Sequence, residues 1–130
     1  MIGFSIRTQS DVERVKRKAR QGTFRSLSHA AAAVRLTASR SIRRRKGPSQ
    51  PGQPPHTRRG QLKRAIRYAV DRVRETAVIG PSYEAVADVG MPHEFGGRYR
   101  RDRYRPRPFM GPALAKVRDR LPRMWAASVR

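Results

Sequence analysis

The first periodic pattern in the chain is a long stripe of apolar and small side chains. They recur at intervals of three and four residues, with Thr23 standing once in the stripe, at Val12, Val15, Ala19, Leu27, Ala31, Val34, Ala38 and Ile42. This spacing places them on one face of an α-helix. Ser10 and Glu13 form a capping-box pattern at its start. The sequence therefore predicts a basic helix over residues 10–46, with a break at Gly22 as the alternative.

A segment rich in proline and glycine follows the predicted helix and carries no periodic pattern. Residues 47–60 contain four prolines and three glycines, and such a composition disfavours both helix and sheet. We predict an extended arm in a stiff polyproline-type conformation, with a solvated linker as the alternative. Gly60 is expected to reverse the chain and to direct Leu62 and Ile66 into the core.

Alternating apolar residues indicate a β-hairpin after the arm. Ile66, Tyr68 and Val70 alternate with less apolar neighbours, which is the period of a half-buried strand. Residues 73–75 supply a turn, and residues 76–79 supply a second strand that ends at a glycine-proline pair. The two strands are predicted to pair in antiparallel fashion.

Short elements and one closing helix are predicted for the last third of the chain. Residues 83–89 are apolar enough for one helical turn, and the glycines in residues 90–97 are expected to break the structure there. Apolar side chains at helical spacing predict a closing helix over residues 111–128 that covers the hairpin, with Pro112 as its first residue. Pro122 is expected to kink this helix or to end it early.

Together these elements predict an α+β fold in a single domain that covers residues 1–130. Its parts are a long N-terminal helix, the extended arm, a small antiparallel sheet and a C-terminal helix packed on that sheet. The sheet is assigned to residues 61–110, with an arginine-rich loop over residues 98–107. A chain of 130 residues can bury one modest hydrophobic core, so we expect no second domain.

Charge narrows the kinds of partner that the chain can have. The sequence holds 31 lysines and arginines against 9 aspartates and glutamates, a formal net charge of +22. Such a surplus indicates a polyanion or an acidic protein surface as partner, although a solvated helix face and a GC-rich genome account for part of it. We predict these contacts at two arginine clusters, which are Arg43, Arg44, Arg45, Arg98, Arg100, Arg101, Arg103 and Arg105.

The second arginine cluster has two interpretations. Tyr99 and Tyr104 interleave with its arginines, which suits base stacking together with phosphate contact. The same pattern suits the tip of a hairpin. The sequence leaves open whether residues 98–107 contact nucleic acid or an acidic protein surface.

Catalytic chemistry finds little support in the sequence. The three histidines, His29, His56 and His93, are far apart, and the carboxylates form no paired or metal-spaced set. No glycine-rich phosphate loop or nucleophile elbow is present. The pair His93-Glu94 is interpreted as a structural anchor in a loop, with a metal-dependent nuclease as the alternative. We predict a protein that is not an enzyme and that holds no cofactor or metal.

Cysteine content and hydropathy exclude two further classes. The chain contains no cysteine, so disulfides and thiolate metal sites are absent. No apolar run approaches the length of a membrane span, and the first ten residues lack the order of a signal peptide. We therefore expect a soluble protein that is not exported by that route.

Four motifs give the sequence a resemblance to a known family. They are Pro-Gly-Gln-Pro-Pro-His-Thr-Arg-Arg-Gly-Gln-Leu (51–62), Val-Ile-Gly-Pro (78–81), His-Glu-Phe-Gly-Gly (93–97) and Arg-Pro-Phe-Met-Gly-Pro-Ala-Leu (107–114). In this order, after a long basic helix, they resemble the tail-completion and head–tail joining (neck, minor tail) proteins of long-tailed bacteriophages. The resemblance covers nearly the whole chain, although residues 98–107 are more basic than the family leads one to expect.

The resemblance implies a structural virion protein that forms a ring at the phage neck, hexameric to match the sixfold tail. Such a ring completes the tail and joins it to the head connector. The implied partners are further copies of the chain, the connector or head-completion protein, the tail tube protein and packaged DNA, with no membrane. The implied location is the virion, and the host cytoplasm during assembly; a prophage or a gene-transfer particle would carry the same kind of protein.

In such a ring the stiff arm is expected to lie across a neighbouring subunit, because it has few conformations to lose on binding. The residues assigned to this contact are Pro51, Gly52, Pro54, Pro55, His56 and Thr57. Core or interface roles are expected for Phe95, Phe109, Leu114 and Trp125. The alternative function is a stand-alone basic nucleic-acid-binding protein, ribosomal or chromatin-like, which the net charge and the tyrosine-arginine segment favour.

Overall fold

The computed structural model of the chain describes residues 8–86 and 89–126. Its first element, α1 (Thr8–Ser41), is a continuous helix of 34 residues and is therefore about 51 Å long. It passes through Gly22 without interruption, so the alternative of two helices is wrong. The helix is already formed at Thr8, which excludes Ser10 as its N-cap; the side chain of Ser10 lies outside the described residues.

The C-terminal limit of α1 differs from the prediction of a helix up to residue 46. The helix ends at Ser41 because the chain then becomes extended and Arg43–Arg44 form a two-residue strand, β1. Its partner is β2 (His56–Thr57), which runs parallel to it. The cations of residues 43–46 therefore do not belong to the last turn of the helix, and the macrodipole does not account for them.

The two halves of α1 lie in different environments. In the C-terminal half the predicted stripe is buried, with Val34 at 3% exposure and Ala38 at 0%. In the N-terminal half the same stripe is open, with Val12 at 50% and Val15 at 57%. The periodic pattern thus predicted the helix correctly, but only its second half contributes to the core.

The hairpin is confirmed, and its register follows the predicted turn. Strands β3 (Ile66–Asp71) and β4 (Thr76–Pro81) pair antiparallel, with Ile66 opposite Pro81 and Asp71 opposite Thr76. A carboxylate oxygen of Asp71 accepts hydrogen bonds from the amides of Val73 and Arg74 and so stabilises the turn. Of the three alternating apolar residues only Ile66 is buried, since the other two are more exposed than a core-facing strand requires.

A short helix, α2 (Gln61–Ala65), precedes the hairpin where the sequence predicted sheet. Gly60 has a left-handed backbone, with φ of 77°, and reverses the chain as expected. Leu62 is 6% exposed and Ile66 1%, which confirms that this reversal directs both side chains into the core.

The segment after the hairpin is more regular than the glycines suggested. It forms α3 (Tyr83–Val86) and α4 (Gly90–Phe95), so the predicted break at residues 90–97 is wrong. The arginine-rich loop is itself a hairpin of β5 (Gly97–Tyr99) and β6 (Asp102–Tyr104). This outcome confirms the interpretation of residues 98–107 as a hairpin tip.

The predicted closing helix consists of two helices, α5 (Met110–Arg118) and α6 (Leu121–Trp125). The interruption confirms the effect expected of Pro122, which occupies the first turn of α6. Pro112 is the third residue of α5 rather than its first. Residues 127 and 128 of the predicted helix lie outside the described residues.

One apolar cluster joins the elements and confirms the α+β class. It consists of Ala38, Ile42, Leu62, Ile66, Phe109 and Ala113, with Ile79, Val86 and Met110 packed against it. The C-terminal helices thus pack together with the sheet and also along α1, where the Ser26 hydroxyl donates to the Met124 carbonyl at 2.8 Å. The sheet is not one unit, since each of the three strand pairs stands alone and one pair is parallel.

Candidate binding surfaces

Glu94 connects α4 to the beginning of α5. Its carboxylate accepts hydrogen bonds from the amides of Phe109, Met110 and Gly111 at 2.9, 3.0 and 2.8 Å. These are amides at the start of a helix, which have no partner within the helix itself. The interpretation of His93-Glu94 as a structural anchor is therefore confirmed for Glu94, although the pair lies on a helix and not in a loop.

His93, the residue before Glu94 on α4, contacts a different part of the molecule. Its ring packs edge-on against Tyr104, with 5.3 Å between ring centres, and its carbonyl accepts the amide of Arg107. Burial, and then the charge of Arg107, lowers the pKa of His93 below its usual value of 6.5. The imidazole is therefore neutral at physiological pH and has a packing role.

An apolar groove lies between β4, α4 and the first turns of α5. Its volume is about 580 Å³. Around it stand four large apolar side chains that are exposed by about half or more, namely Tyr83, Met91, Phe95 and Leu114. Phe109, which is 1% exposed, lies at its inner side. We call this surface the apolar groove.

The four aromatic and aliphatic residues expected in the core or at an interface separate into two groups. Phe109 belongs to the core, and Trp125 is half-buried on α6. Phe95 is 70% exposed and Leu114 48%; both line the apolar groove. These two are available to a partner, which is the second of the two expected roles.

A second groove is cationic and lies between the end of α1, the arm and α5. Its volume is about 900 Å³. Ten of its twelve lining residues are polar, and the other two are prolines. The cations among them are Arg40, Arg43, Arg45 and Lys116, and no carboxylate lines it. We call this surface the cationic groove.

Strand geometry divides the first arginine cluster. Successive side chains of an extended chain point to opposite faces, and accordingly Arg43 and Arg45 line the cationic groove while Arg44 does not. The Arg44 side chain lies against Gly60 instead, where its Cδ would be 3.7 Å from a Cβ built on the glycine. The structure thus brings together two of the three predicted contact residues.

The arm does not project from the molecule. It folds back between β1 and β2, where the Gly52 amide donates to the Pro106 carbonyl at 2.9 Å and Arg107 Nε donates to the Ser49 carbonyl at 2.9 Å. Pro55 is buried, and so is Thr57, whose hydroxyl accepts the Gly60 amide. These contacts hold the arm on its own domain, so it is not the solvated linker of the alternative interpretation.

The six residues assigned to a subunit contact therefore have different surroundings. Pro51 and Gly52 form an exposed turn, whereas Pro54 and His56 are half-buried and line the cationic groove. Pro55 and Thr57 face inward and are inaccessible. Only the turn at Pro51 and Gly52 is fully exposed to a neighbouring molecule.

The second arginine cluster is exposed throughout. Its members Arg98, Arg100, Arg101, Arg103 and Arg105 lie on or next to the β5–β6 hairpin. Tyr99 and Tyr104 contact each other with 6.4 Å between ring centres, and Tyr104 also contacts His93. The two rings therefore support the hairpin from within, which argues against the base-stacking interpretation.

Few of the cations are neutralised by acidic side chains. Among the side chains that the structure describes, in residues 12–86 and 89–126, only two ion pairs occur, Lys16 with Glu13 and Arg74 with Asp71. Both are exposed pairs on single elements, and neither lies in the cationic groove. Its charge is therefore available to a partner from outside the chain.

In the described part of the chain, no three histidine, cysteine, aspartate or glutamate residues come close enough to hold a metal ion. No helix among the same residues combines the length and the apolar character that a bilayer span needs.

Comparison of the chain with models of known families, with characterised proteins and with solved structures yields no match.

The sequence patterns did not identify several residues of the two grooves. Arg40 and Lys116 belong to the cationic groove, but each is a single cation on a predicted helix and neither belongs to one of the two predicted arginine clusters. Met91 and Tyr83 belong to the apolar groove but lie in segments without a strong period. The cap formed by Glu94 joins residues 15 to 17 positions apart, and local sequence patterns do not predict contacts over such a separation.

Proposed function

We propose that the chain is a structural virion subunit that forms a hexameric ring at the neck of a long-tailed bacteriophage. The ring completes the tail and joins it to the head connector. Two observations support the proposal: the order of four motifs along the sequence, and an apolar surface that the described residues leave uncovered.

The apolar groove is the observation that carries this proposal. Large apolar side chains that cluster on a surface mark places where another protein binds. Phe95 at 70% exposure and Met91 at 64% are examples of such side chains. In a protein of net charge +22, like charges oppose contact between copies, so apolar contacts must supply the attraction. A groove of this kind therefore suits an assembling subunit.

A ring also requires a second, different patch on each subunit, because its contacts are heterologous. The exposed turn at Pro51 and Gly52 is the part of the arm that we assign to this second patch. Gly52 has φ of 85°, and its amide is bound to Pro106, so the turn is held in one shape. A preformed turn loses little conformational entropy on binding.

The test is the mass of the purified, nuclease-treated protein by light scattering over a range of protein and salt concentrations. Phe95→Asp places a charge in the apolar groove and is expected to weaken self-association by about 30-fold or more, the effect of losing a central interface residue. Val73→Asp is the matched control, since Val73 is 93% exposed at the β3–β4 turn and does not line the groove.

The expected result is a closed oligomer for the wild type and the control, and a smaller species for Phe95→Asp. An oligomer of unchanged mass and affinity in Phe95→Asp would show that the apolar groove is not the subunit contact. A wild-type protein that stays monomeric at every concentration, and that binds nucleic acid tightly with an affinity that falls steeply as salt rises, would favour the alternative function.

That alternative is a stand-alone basic nucleic-acid-binding protein. One observation favours it, the cationic groove, whose arginines have no acidic partner in the part of the chain that the structure describes. Such a protein needs no self-association, and its affinity falls steeply with salt because bound phosphates release counterions. Oligomer formation in the absence of nucleic acid separates the two functions.

A further inference from the structure

We infer that the cationic groove is a binding site for the phosphate backbone of a nucleic acid. This inference does not rest on the ring: a neck subunit and a stand-alone binding protein would use the groove in the same way. It also assigns the contact to particular residues, Arg43 and Arg45, and excludes their neighbour Arg44.

Charge is the first argument. Four cations line the groove without a carboxylate, and the two ion pairs of the described residues lie elsewhere. Like charges held together at one place repel each other unless a partner neutralises them. A polyanion does so with several phosphates at once, and arginine binds phosphate oxygens through two parallel N–H donors.

The nature of the other lining residues favours nucleic acid over an acidic protein. A protein interface has an apolar centre surrounded by a polar rim, and the cationic groove has no such centre, since only Pro48 and Pro54 are apolar. Its remaining walls are serine, threonine, glutamine and histidine side chains. Such side chains are typical donors to phosphate and sugar oxygens.

The wall of the groove is fixed before any ligand binds. The arm is held by the bond from Arg107 to the Ser49 carbonyl and by the bond from Gly52 to Pro106. On the opposite side the pairing of β1 with β2 continues to Arg45, whose amide donates to the Thr57 carbonyl at 3.2 Å. Arg43 and Arg45 therefore project from a rigid backbone, and little entropy is lost when a backbone of phosphates is bound.

A polar group without a partner lies in the same wall. Ser49 is 5% exposed, and its hydroxyl forms no hydrogen bond with the described residues. Buried hydroxyls normally have a partner, and one without a partner is unusual enough to require an explanation. Other polar groups of the groove are already used, as Thr37 donates to the Ala33 carbonyl and the His56 ring bonds the Gly47 carbonyl. Ser49 lines the groove, and its hydroxyl is the buried group of this wall that has no partner among the described residues.

The experiment measures the affinity of the nuclease-treated protein for a short fluorescein-labelled DNA duplex by anisotropy, as a function of salt. The double variant Arg43→Ala/Arg45→Ala is compared with Arg44→Ala/Arg14→Ala, which removes the same charge. Arg14 lies in the exposed half of α1 and Arg44 faces Gly60. Thermal melting verifies that both variants fold like the wild type.

Affinity falls as salt rises, so the slope of log affinity against log salt is negative. We expect the groove variant to make this slope shallower by about 1.8, the value for two lost phosphate contacts. At 0.1 M salt this corresponds to a loss of affinity of roughly 60-fold. The control variant is expected to keep the wild-type slope. Equal slopes and equal losses in the two variants would overturn the inference, because binding would then follow net charge and not the groove.

Poly-glutamate serves as a competitor that tests the acidic-protein alternative. The inference requires that DNA binds more tightly than poly-glutamate of matched charge, and that only DNA binding depends on Arg43 and Arg45. If poly-glutamate binds as tightly, with the same dependence on the two arginines, the groove is a site for an acidic protein. The mass of the oligomer is unaffected by these variants if the ring contact lies in the apolar groove, so failure of one proposal is distinguishable from failure of the other.

Discussion

The two grooves both border α5, but one is lined mainly by apolar side chains and the other by polar and cationic ones. Leu114 lines the apolar groove and Lys116 lines the cationic groove, and both belong to α5. Two residues are separated by about 200° around a helix, so the same nine-residue element presents opposite sides to the two surfaces. A small domain can thus hold a protein-binding and a polyanion-binding surface without interference, because one short helix keeps them apart.

The two surfaces are also held in place by different means. The apolar groove depends on side-chain packing around Phe109 and on the cap that Glu94 forms on α5. The cationic groove depends on backbone contacts of the arm, such as those of Gly52 and Ser49. Substitutions can therefore affect the two surfaces together or separately, and the largest effect is expected where both depend on one side chain.

Replacement of Phe109 by alanine is expected to have the largest effect. The side chain is 1% exposed in the central cluster, and removal of a buried phenylalanine costs about 3–5 kcal/mol of unfolding free energy. Because α5 then loses its anchor, both grooves should be lost together. Denaturant unfolding measures the free energy, and DNA binding together with light scattering reports the two surfaces.

Leu114→Ala is the control for Phe109→Ala, since Leu114 lies on the same helix but is 48% exposed. Its expected cost is about 1 kcal/mol or less. A cost below about 1 kcal/mol for Phe109→Ala as well would mean that α5 is not held by the central cluster.

Replacement of Glu94 by alanine should impair binding at the apolar groove and leave binding at the cationic groove unchanged. Three amides of α5 lose their acceptor, and the expected cost is about 2 kcal/mol, typical of hydrogen bonds to a charged group. Glu94→Gln keeps one acceptor oxygen and should cost about half as much. We expect weaker self-association with unchanged DNA affinity at low salt; a parallel loss of both would show that the cap supports the whole domain.

Acidification should give the smallest effect, and it acts through His93, the neighbour of Glu94 on α4. Burial and Arg107 lower the pKa of His93 below 6.5, so the unfolded chain binds the proton more strongly than the folded one. The contribution of this pKa difference to the free energy of unfolding is therefore complete above about pH 6.5, and it is lost as the pH drops towards the folded-state pKa. His93→Phe keeps an aromatic ring against Tyr104 and should remove this part of the pH dependence.

The measurement is the difference in unfolding free energy between wild type and His93→Phe across this pH range. That difference cancels the contributions of the other histidines. A difference that stays constant with pH would show that His93 does not titrate in this window.

Regular features of the fold could be predicted because they depend on local patterns. The 3.6-residue period predicted α1, the alternation after Ile66 predicted the hairpin, and Gly60 and Pro122 acted at the positions where backbone rules placed them. The limits of elements were less accurate. Arg43 and Arg44 left the helix because they pair with residues 13 positions later, and helix propensity contains no information on such a partner.

The two candidate surfaces could be predicted only in part. Arg43 and Arg45 were identified from charge alone, but their separation from Arg44 depends on the extended backbone of β1. The arm was recognised from its prolines, yet its contacts with Pro106 and Arg107 join residues more than 50 positions apart. Exposure of Phe95 could not be inferred from sequence because an apolar residue fits a core as well as an interface.

The parallel pairing of β1 with β2 makes the arm a closed loop. Its two ends are hydrogen-bonded to each other, from Arg45 to Thr57, and its middle is bonded to the residues before α5 through Gly52 and Ser49. The entropy of closing a loop grows slowly with length, by about 0.6 kcal/mol for each doubling. Residues inserted beside the exposed turn at Pro51 therefore cost little loop-closure entropy as long as the bonds of Gly52 and Ser49 are kept. Such insertions would change the reach of this segment towards a neighbouring molecule while the core stays the same.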